Sequence, residues 1–436
     1  MKRNSDKFDV VIMAGGMGTR VAENFPLIPK PMILINEIPV LEHQIKVLAD
    51  SGFKNILIVV GHLHSVITSY FDSGEKWGVK IEYFVEETPL GTAGALYKVK
   101  DSLSENFILL NGDLIFDMNL ERLYRFHMDS KRLATITVHP NSHPFDSAIV
   151  VKKGTEVVKW LSKNDPSRTD DEYWYSNCVN AGIHVLNKSI FDNIPTKDKV
   201  NLDRDILKPL IESGNLSAYS TTEYVKDMGT LERIPEVERE ITSGFVHGKN
   251  LTLQQKAIFI DRDGVVNRHV GHLSNINDFE LIKGVEDAIS TLNNLGYLCI
   301  IVTNQPVIAR GELSVNQLEM IHNKMETLLG NHGAYLDGIY YCPHHPDSGF
   351  EGEISELKFD CDCRKPKPGL LLAAKEEFNI DFSRSWMVGD HIRDIQAGNS
   401  VGCKTAFIGE NELSEANLTF KSLLSFSEFL TSRERN

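Results

Sequence analysis

The feature that most constrains this chain is a rhythm it runs through twice. Short apolar runs alternate with stretches of helical period. In the first half Val10–Met13, Ile56–Val60, Ile81–Val85 and Phe107–Leu110 read as buried parallel strands. Helical patterns at Val40–Ala49 and Ala93–Val99 lie between them. In the second half Ala257–Ile260, Leu298–Val302, Gly338–Tyr341, Trp386–Val388 and Thr405–Ile408 repeat the scheme, separated by helical stretches near Val285–Leu295, Val315–Leu329 and Leu370–Glu377. Parallel strands need crossover connections, so the expectation is an α/β fold with both faces of each sheet covered. A chain of 436 residues is also too long for one ordinary core. The stretch 243–255 has two glycines and no helical period, and a fresh apolar strand follows it. The reading is therefore two Rossmann-like domains, 1–242 and 256–436, joined by a linker at 243–255.

Bulk chemistry narrows the function. Hydrophobic residues make up 42% and charged residues 24%, an ordinary globular balance. A net charge of -14 argues against a nucleic-acid wrapper or a binder of anionic membranes. It leaves phosphate substrates open, because a nest of backbone N–H groups binds anions on an acidic protein. Met1–Val10 is polar, and no apolar run reaches the length of a membrane span, so a cytoplasmic enzyme is expected. Cys178, Cys299 and Cys403 stand singly and read as inert thiols. Cys342, Cys361 and Cys363 gather around one loop, which suggests metal ligation in a reducing compartment.

Each half carries a phosphate motif at a strand end. The strand FDVVIMA runs into GGMGTR, with Gly15, Gly16, Gly18, Thr19 and Arg20, and Lys30 follows in the run PKPM. Glycines after a first strand let N–H groups close on phosphate oxygens, and an arginine and a lysine add fixed positive charge. This pattern resembles the sugar nucleotidyltransferase family over about Phe8 to Glu240. The resemblance implies a mixed sheet and in-line attack of a sugar-1-phosphate on a nucleoside triphosphate, with pyrophosphate leaving. It implies catalytic roles for Arg20 and Lys30. It assigns base and sugar recognition to Glu87, Gly91, Thr92 and Gly94 of ETPLGTAGA and to Asn180 of NAGIHVL. It gives Lys163 the sugar phosphate, and Asp113 and Asp227 a shared Mg²⁺. Val21 stands where the family has leucine, and the segment AENFPLI is worded differently.

The strand KAIFI ends in DRDGVVN, followed in order by TNQ, RKPKP and VGDHIRD. This half resembles the haloacid-dehalogenase-type phosphatases over about Ala257 to Gly409. The resemblance implies a parallel sheet and a nucleophile at Asp261. Asp263 would be the acid and base, and Asp261, Asp263 and Asp390 would bind Mg²⁺. Thr303 and Lys365 would meet the phosphoryl oxygens, with Asn304, Arg310 and Arg364 contributing to binding. Asp394 reads equally as a ligand or a helix cap. Cys342, His344, Cys361 and Cys363 form a Cys-x-His and Cys-x-Cys set suited to structural Zn²⁺, with His345 as a substitute for His344. Such a loop before RKP is similar to that of the heptose-bisphosphate phosphatases; histidinol-phosphate phosphatases are close cousins. Two departures stand out: Pro306 and Val307 replace Ser-Gly, and His391 replaces a lysine. They predict a slower phosphatase, or a decayed one that only regulates.

A phosphatase that leaves a sugar-1-phosphate, fused to an enzyme that consumes one, implies consecutive steps. The resemblance points to heptose 1,7-bisphosphate, heptose 1-phosphate and GTP as partners, with the choice of guanine resting on the resemblance and on the fused phosphatase. The reading leaves room for a homo-oligomer.

Overall fold

Buried apolar runs leave their backbone polar groups only one another as partners, which makes them strands. The computed structural model describes residues 7–16, 25–169, 173–192, 199–349 and 351–434. The chain divides into two units. One comprises Met1–His139, Val150–Trp160 and Asn180–Asn250; the other comprises Pro140–Ile149, Leu161–Val179 and Leu251–Asn436. Two segments of the first half therefore group with the second unit. Within that unit, Tyr175 N donates to Thr327 Oγ1 at 3.0 Å, and Thr327 Oγ1 donates to the Tyr175 carbonyl at 2.9 Å.

The large sheet of the first half has nine strands: β1 (Phe8–Met13), β2 (Asn55–Val60), β3 (Lys80–Val85), β4 (Leu103–Asn111), β5 (Ala134–His139), β6 (Ile149–Lys153), β7 (Glu156–Leu161), β8 (Val179–Asn187) and β9 (Leu216–Ser220). Their order is β3-β2-β1-β4-β8-β5-β9-β7-β6. Strands β1 to β4 pair in parallel, and β8 runs antiparallel to β4, so the sheet is mixed. Helices α1 (Val40–Asp50) and α2 (Thr92–Val99) lie in the crossovers of the parallel part. The expectation of burial fails for β3. It is an edge strand, so Tyr83 and Phe84 are half-buried and Val85 is exposed. A separate ribbon pairs Leu114–Asp117 with Tyr224–Asp227, setting Leu114 opposite Asp227.

The second sheet is wholly parallel. It contains β10 (Ala257–Ile260), β11 (Leu298–Asn304), β12 (Gly338–Cys342), β13 (Trp386–Gly389), β14 (Lys404–Ile408) and β15 (Leu418–Phe420), in the order β12-β11-β10-β13-β14-β15. Alternate side chains serve two cores. Ile258, Ile260, Cys299, Ile301 and Val388 enter one, and Ala257, Phe259, Ile300, Val302 and Met387 the other. Helices α3 (Val285–Asn294), α4 (Val315–Gly330), α5 (Gly369–Phe378) and α6 (Ile392–Ser400) fill the crossovers. Because β10 lies between β11 and β13, the carboxyl ends of these three strands meet where the strand order reverses, a common place for ligands in such sheets.

The 243–255 stretch is more ordered than its composition suggests. Gly244, at φ +78°, turns the chain into a short helix, Phe245–Gly248, and Val246, Lys249, Asn250 and Leu251 are buried. No helix among the described residues is long and apolar enough to cross a membrane.

Two buried histidines set an acid limit on the first unit. Burial holds His127 and His184 neutral, with pKa values pushed down to about 4. A folded-state value below the unfolded one means that this stability is complete above about pH 6.5. It is lost as pH falls through 4. Replacing His184 with leucine should remove one such term. The difference in unfolding free energy between wild type and His184→Leu, measured in denaturant, should change by on the order of 2 kcal/mol between pH 7 and pH 4. A pH-independent difference would contradict this account.

Candidate active sites

The first candidate site is built where β1, β2 and β4 end. Their following loops touch. A Cβ on Gly15 would come within 2.5 Å of Glu86 Oε2, and one on Gly61 would meet the Gly15 carbonyl at 2.9 Å. One on Gly112 would meet the Met13 carbonyl at 2.9 Å. A Cβ on Gly16, by contrast, would meet nothing within 4 Å among the described residues. Gly18, Thr19 and Arg20 lie outside the described residues. Lys30 pairs with Asp113 Oδ2, so the lysine of the PKP run and the aspartate after β4 do come together. The Met228 N–H donates to the Asp113 carbonyl at 2.8 Å, and the ribbon register sets Asp227 beside this position. Asp227 Oδ1 accepts from Gly229 N at 2.9 Å, and its other oxygen pairs with Arg233.

The other candidate residues of the first half are held by the following contacts. Glu86 lies against the glycine loop and accepts from Leu90 N at 3.1 Å, while Glu87 is exposed. Gly91, at φ +77°, packs where a Cβ would sit 2.5 Å from the Val200 carbonyl. The Thr92 hydroxyl accepts from Leu202 N at 2.8 Å. A Cβ on Gly94 would be 3.1 Å from Leu90 Cβ. These three residues thus fasten α2 to the 200–202 segment. Asn180 spends its side-chain oxygen on Gly182 N, at 3.1 Å. Lys163 is exposed on the turn after β7. Arg233 was not found from sequence; it belongs to no motif, and only the turn after the ribbon returns it to Asp227.

The second candidate site is denser. Asp261, at the end of β10, is buried, and its Oδ1 accepts from Lys365 Nζ at 2.9 Å and from Arg262 N at 2.8 Å. Lys365 Nζ also meets Asp394 Oδ1 at 2.7 Å and donates to the Val302 carbonyl at 2.7 Å. Asn304 fixes this lysine by its backbone: Nδ2 donates to the Lys365 carbonyl and Oδ1 accepts from Lys365 N, both at 3.0 Å. Burial and the nearby Asp394 push Asp261 up to about 6, against the pull of Lys365. Burial and Asp261 also raise Asp390. Burial alone would neutralise Lys365, but Asp261 and Asp394 hold it charged. The Thr303 hydroxyl is buried and accepts from Gln305 Nε2 at 2.8 Å.

Carboxylate oxygens of Asp261, Asp390 and Asp394 lie within 4.8 Å of one another. The sequence reading placed Asp263 in that set. Its carboxylate instead faces Arg262, Gln305 and Asn267. Burial would raise Asp263, but the Arg262 charge and these donors outweigh it and hold the group below the usual range. Asp394 is both partner and cap: it pairs with Lys365, and its Oδ2 accepts from His391 N at 3.1 Å. His391 Nδ1 returns the cap by accepting from Arg393 N at 3.2 Å. Pro306 occupies the first turn of a short helix, Pro306–Ala309, where a missing N–H costs nothing. Val307 is buried in that helix and needs no left-handed backbone. Both residues thus fit the short helix that begins just past β11. Arg364 donates to the His344 carbonyl at 3.2 Å, and Arg310 lies against His272.

Behind Lys365, Cys342, His344, Cys361 and Cys363 gather four donor atoms within 4.8 Å of one another. Cys342 Sγ is 3.4 Å from Cys361 Sγ, and Cys363 Sγ is 3.3 Å from Cys361 Sγ and 3.2 Å from His344 Nδ1. Those sulfurs are too far apart for disulfides. Three thiols and an imidazole closing on one point match a tetrahedral four-ligand shell. His345 turns away, with its Nδ1 accepting from Asp347 N at 3.1 Å.

Known proteins divide along the same line. The nucleotidyl transferase family model matches residues 9–244, and a HAD-hydrolase-like model matches 362–422. The D-glycero-beta-D-manno-heptose-1,7-bisphosphate 7-phosphatase of Vibrio cholerae is 42% identical over 156 residues, which are 36% of this chain and 82% of that protein. The enzyme of the same name from Pasteurella multocida is 44% identical over 176 residues, 39% of this chain and 93% of that protein. Among solved structures, HddC from Yersinia pseudotuberculosis aligns with 54% of this chain and 99% of its own, at 23% identity and a TM-score of 0.47.

Gly264 tests the local geometry. It has φ +88°, and a Cβ there would land on the Asp390 carboxylate. Gly271 has φ +79° but faces open space. Gly264→Ala should therefore lower stability by roughly 2–4 kcal/mol, against about 1 kcal/mol for Gly271→Ala. Equal shifts in denaturant midpoint would show that Asp390 does not crowd this turn.

Proposed function

This chain belongs to the nucleotidyl transferase family in its first half and to the HAD-like heptose-bisphosphate phosphatases in its second, and from that premise we propose that it carries out two consecutive reactions on one sugar. The second unit removes the 7-phosphate of D-glycero-D-manno-heptose 1,7-bisphosphate. The first transfers a nucleotidyl group, GMP from GTP, to the resulting heptose 1-phosphate and releases pyrophosphate. We place the transferase domain at 1–242 and the phosphatase at 256–436, joined through 243–255. The observation that carries the reading is the buried Asp261–Lys365–Asp394 group with Asp390 beside it. A regulatory relic would have no reason to keep a buried lysine between two carboxylates with a third beside them.

Phosphate removal follows from the positions. Asp261 is the nucleophile, and Lys365 orients it while leaving one oxygen free for phosphorus. Thr303 and Lys365 neutralise charge on the phosphoryl oxygens as it develops. Asp263 serves the leaving oxygen and then the attacking water. The three crowded carboxylates, two of them with raised pKa values, fit a divalent cation. Asp261 and Asp390 would hold Mg²⁺, which would offset repulsion between nucleophile and phosphate.

Nucleotidyl transfer asks less of the protein, because positioning and charge neutralisation dominate. The glycine loop and Lys30 would receive the triphosphate, and Arg20 and Lys163 would add charge at the pyrophosphate and the sugar phosphate. Glu87, Gly91, Thr92, Gly94 and Asn180 would recognise base and sugar. Asp113 and Asp227 are neighbours, but each is neutralised by a cationic side chain. They fit a shared Mg²⁺ only if Lys30 and Arg233 move onto phosphate. The cysteine loop would hold structural Zn²⁺ and stiffen the segment that carries Arg364 and Lys365.

Three measurements test this reading. With heptose 1,7-bisphosphate, Mg²⁺ and each nucleoside triphosphate in turn, mass spectrometry should find GDP-heptose. Asp261→Asn should cut phosphate release by about 10³-fold or more, yet spare transfer to supplied heptose 1-phosphate. Asp113→Asn should do the reverse. Loss of both activities in either variant would refute two independent sites. Elemental analysis should find one zinc per chain in the wild type and none in Cys361→Ser, which should also unfold at a lower temperature. Equal zinc in both would exclude the four-ligand site.

A further inference from the structure

Between the two aspartates of the second site lies Arg262, whose side chain is fully buried. A guanidinium taken out of water is costly unless its donors are matched. Here most of the matching is spent on one carboxylate. Arg262 Nη2 donates to Asp263 Oδ1 at 3.0 Å and to Oδ2 at 2.9 Å, with Nε 3.4 Å from Oδ1. Behind it, Nη2 also reaches Gln305 Oε1 at 3.1 Å, and Nη1 reaches His322 Nε2 at 3.3 Å. Gln305 closes the ring by donating Nε2 to Asp263 Oδ2 at 2.9 Å. Asn267 Nδ2 donates to Oδ1 at 3.0 Å. Asp261 and Asp263 are thus held by different frames, the first by Lys365 and the second by Arg262.

We propose that Arg262 is a positioning residue for the phosphatase reaction: its fork, braced by Gln305 and His322, fixes the orientation of Asp263 for proton transfer. The inference rests on the phosphatase reading above. In the first step an Asp261 oxygen bonds to phosphorus, the bond to the leaving oxygen breaks, and Asp263 gives that oxygen its proton. In the second, a water oxygen bonds to phosphorus and its proton passes to Asp263. The bond to Asp261 breaks and inorganic phosphate departs. Every partner of Asp263 in the observed arrangement is a donor, so the arrangement suits the carboxylate that accepts the proton of water. The second step therefore depends most on the fork.

Leaving-group dependence separates positioning from general damage. The p-nitrophenolate group departs without a proton, whereas an alkoxide needs one. Arg262→Met should give a burst of about one p-nitrophenol per site from p-nitrophenyl phosphate, followed by turnover roughly 10²-fold below wild type. On an alkyl phosphate such as glycerol phosphate it should lose both the burst and the turnover. Arg262→Lys keeps the charge without the fork, and should retain the burst with only partial recovery of turnover. It also keeps the test open if Arg262→Met does not fold, as judged by near-ultraviolet circular dichroism. Equal loss on both substrates without a burst, or wild-type turnover in Arg262→Lys, would overturn the proposal. If wild type releases no more phosphate than Asp261→Asn from any phosphomonoester, the phosphatase reading itself fails and takes this role with it.

Discussion

The second site depends on one buried charge. Lys365 has no exposure to solvent, and it lies between Asp261 and Asp394. Removing an ammonium from water costs several kcal/mol, so it is stable there only because two carboxylates and the Val302 carbonyl surround it. The same contact ties three parts of the chain together: the end of β10, the start of α6 and the loop after the cysteine cluster. Asn304, at the end of β11, grips the backbone of that lysine from the other side. With Asp390 the group holds three acidic side chains to one basic one. That surplus is uncomfortable without a cation, and it shows as raised pKa values on Asp261 and Asp390.

The first site follows the opposite logic. Asp113 and Asp227 each carry their own cation, and Asp113 is half-buried while Asp227 is exposed. Such pairs are inexpensive to break in a solvated setting. A triphosphate could therefore draw Lys30 away from Asp113 at little cost, freeing that carboxylate as the lysine engages phosphate. The difference matches the two chemistries. Attack by an aspartate needs a dry, oriented nucleophile, whereas transfer between phosphates needs charge that can be redistributed.

What the sequence revealed follows from this contrast. Five of the six strands of the second sheet were legible to within two residues, because their apolar runs are unbroken, whereas the half-buried edge strand β15 was not read. Asp261, Thr303, Lys365 and Asp390 were legible because each stands just past such a run or in a fixed local motif. The rest of the first sheet, beyond β4, was not seen as strands, since its members are interrupted by polar residues such as His184 and Ser217. Contacts made through folding were invisible as well. Glu86 was not marked by the sequence, since only the approach of Gly15 brings it to the glycine loop. Arg233 and Asn304 act across loops, and no spacing rule announces either partnership. Segments 140–149 and 161–179 group with the second unit, which periodicity alone does not foretell.

The departures from the family pattern show how a motif can change its letters and keep its geometry. Read as sequence, Pro306 removes a donor, Val307 forbids a left-handed turn, and His391 loses a fixed charge. In the fold, Pro306 begins a helix at a position where an N–H would have no intrahelical partner, and its fixed φ suits that position. Val307 is helical and feeds the core. His391 supplies a ring nitrogen to cap α6, while its own N–H is taken by Asp394, the residue that also secures Lys365. The cap and the buried ion group thus share a carboxylate. What position 391 must provide structurally is a backbone donor and a side-chain acceptor, and a neutral imidazole gives both where a lysine gives only the first. The altered residue therefore anchors the charge network from a helix end.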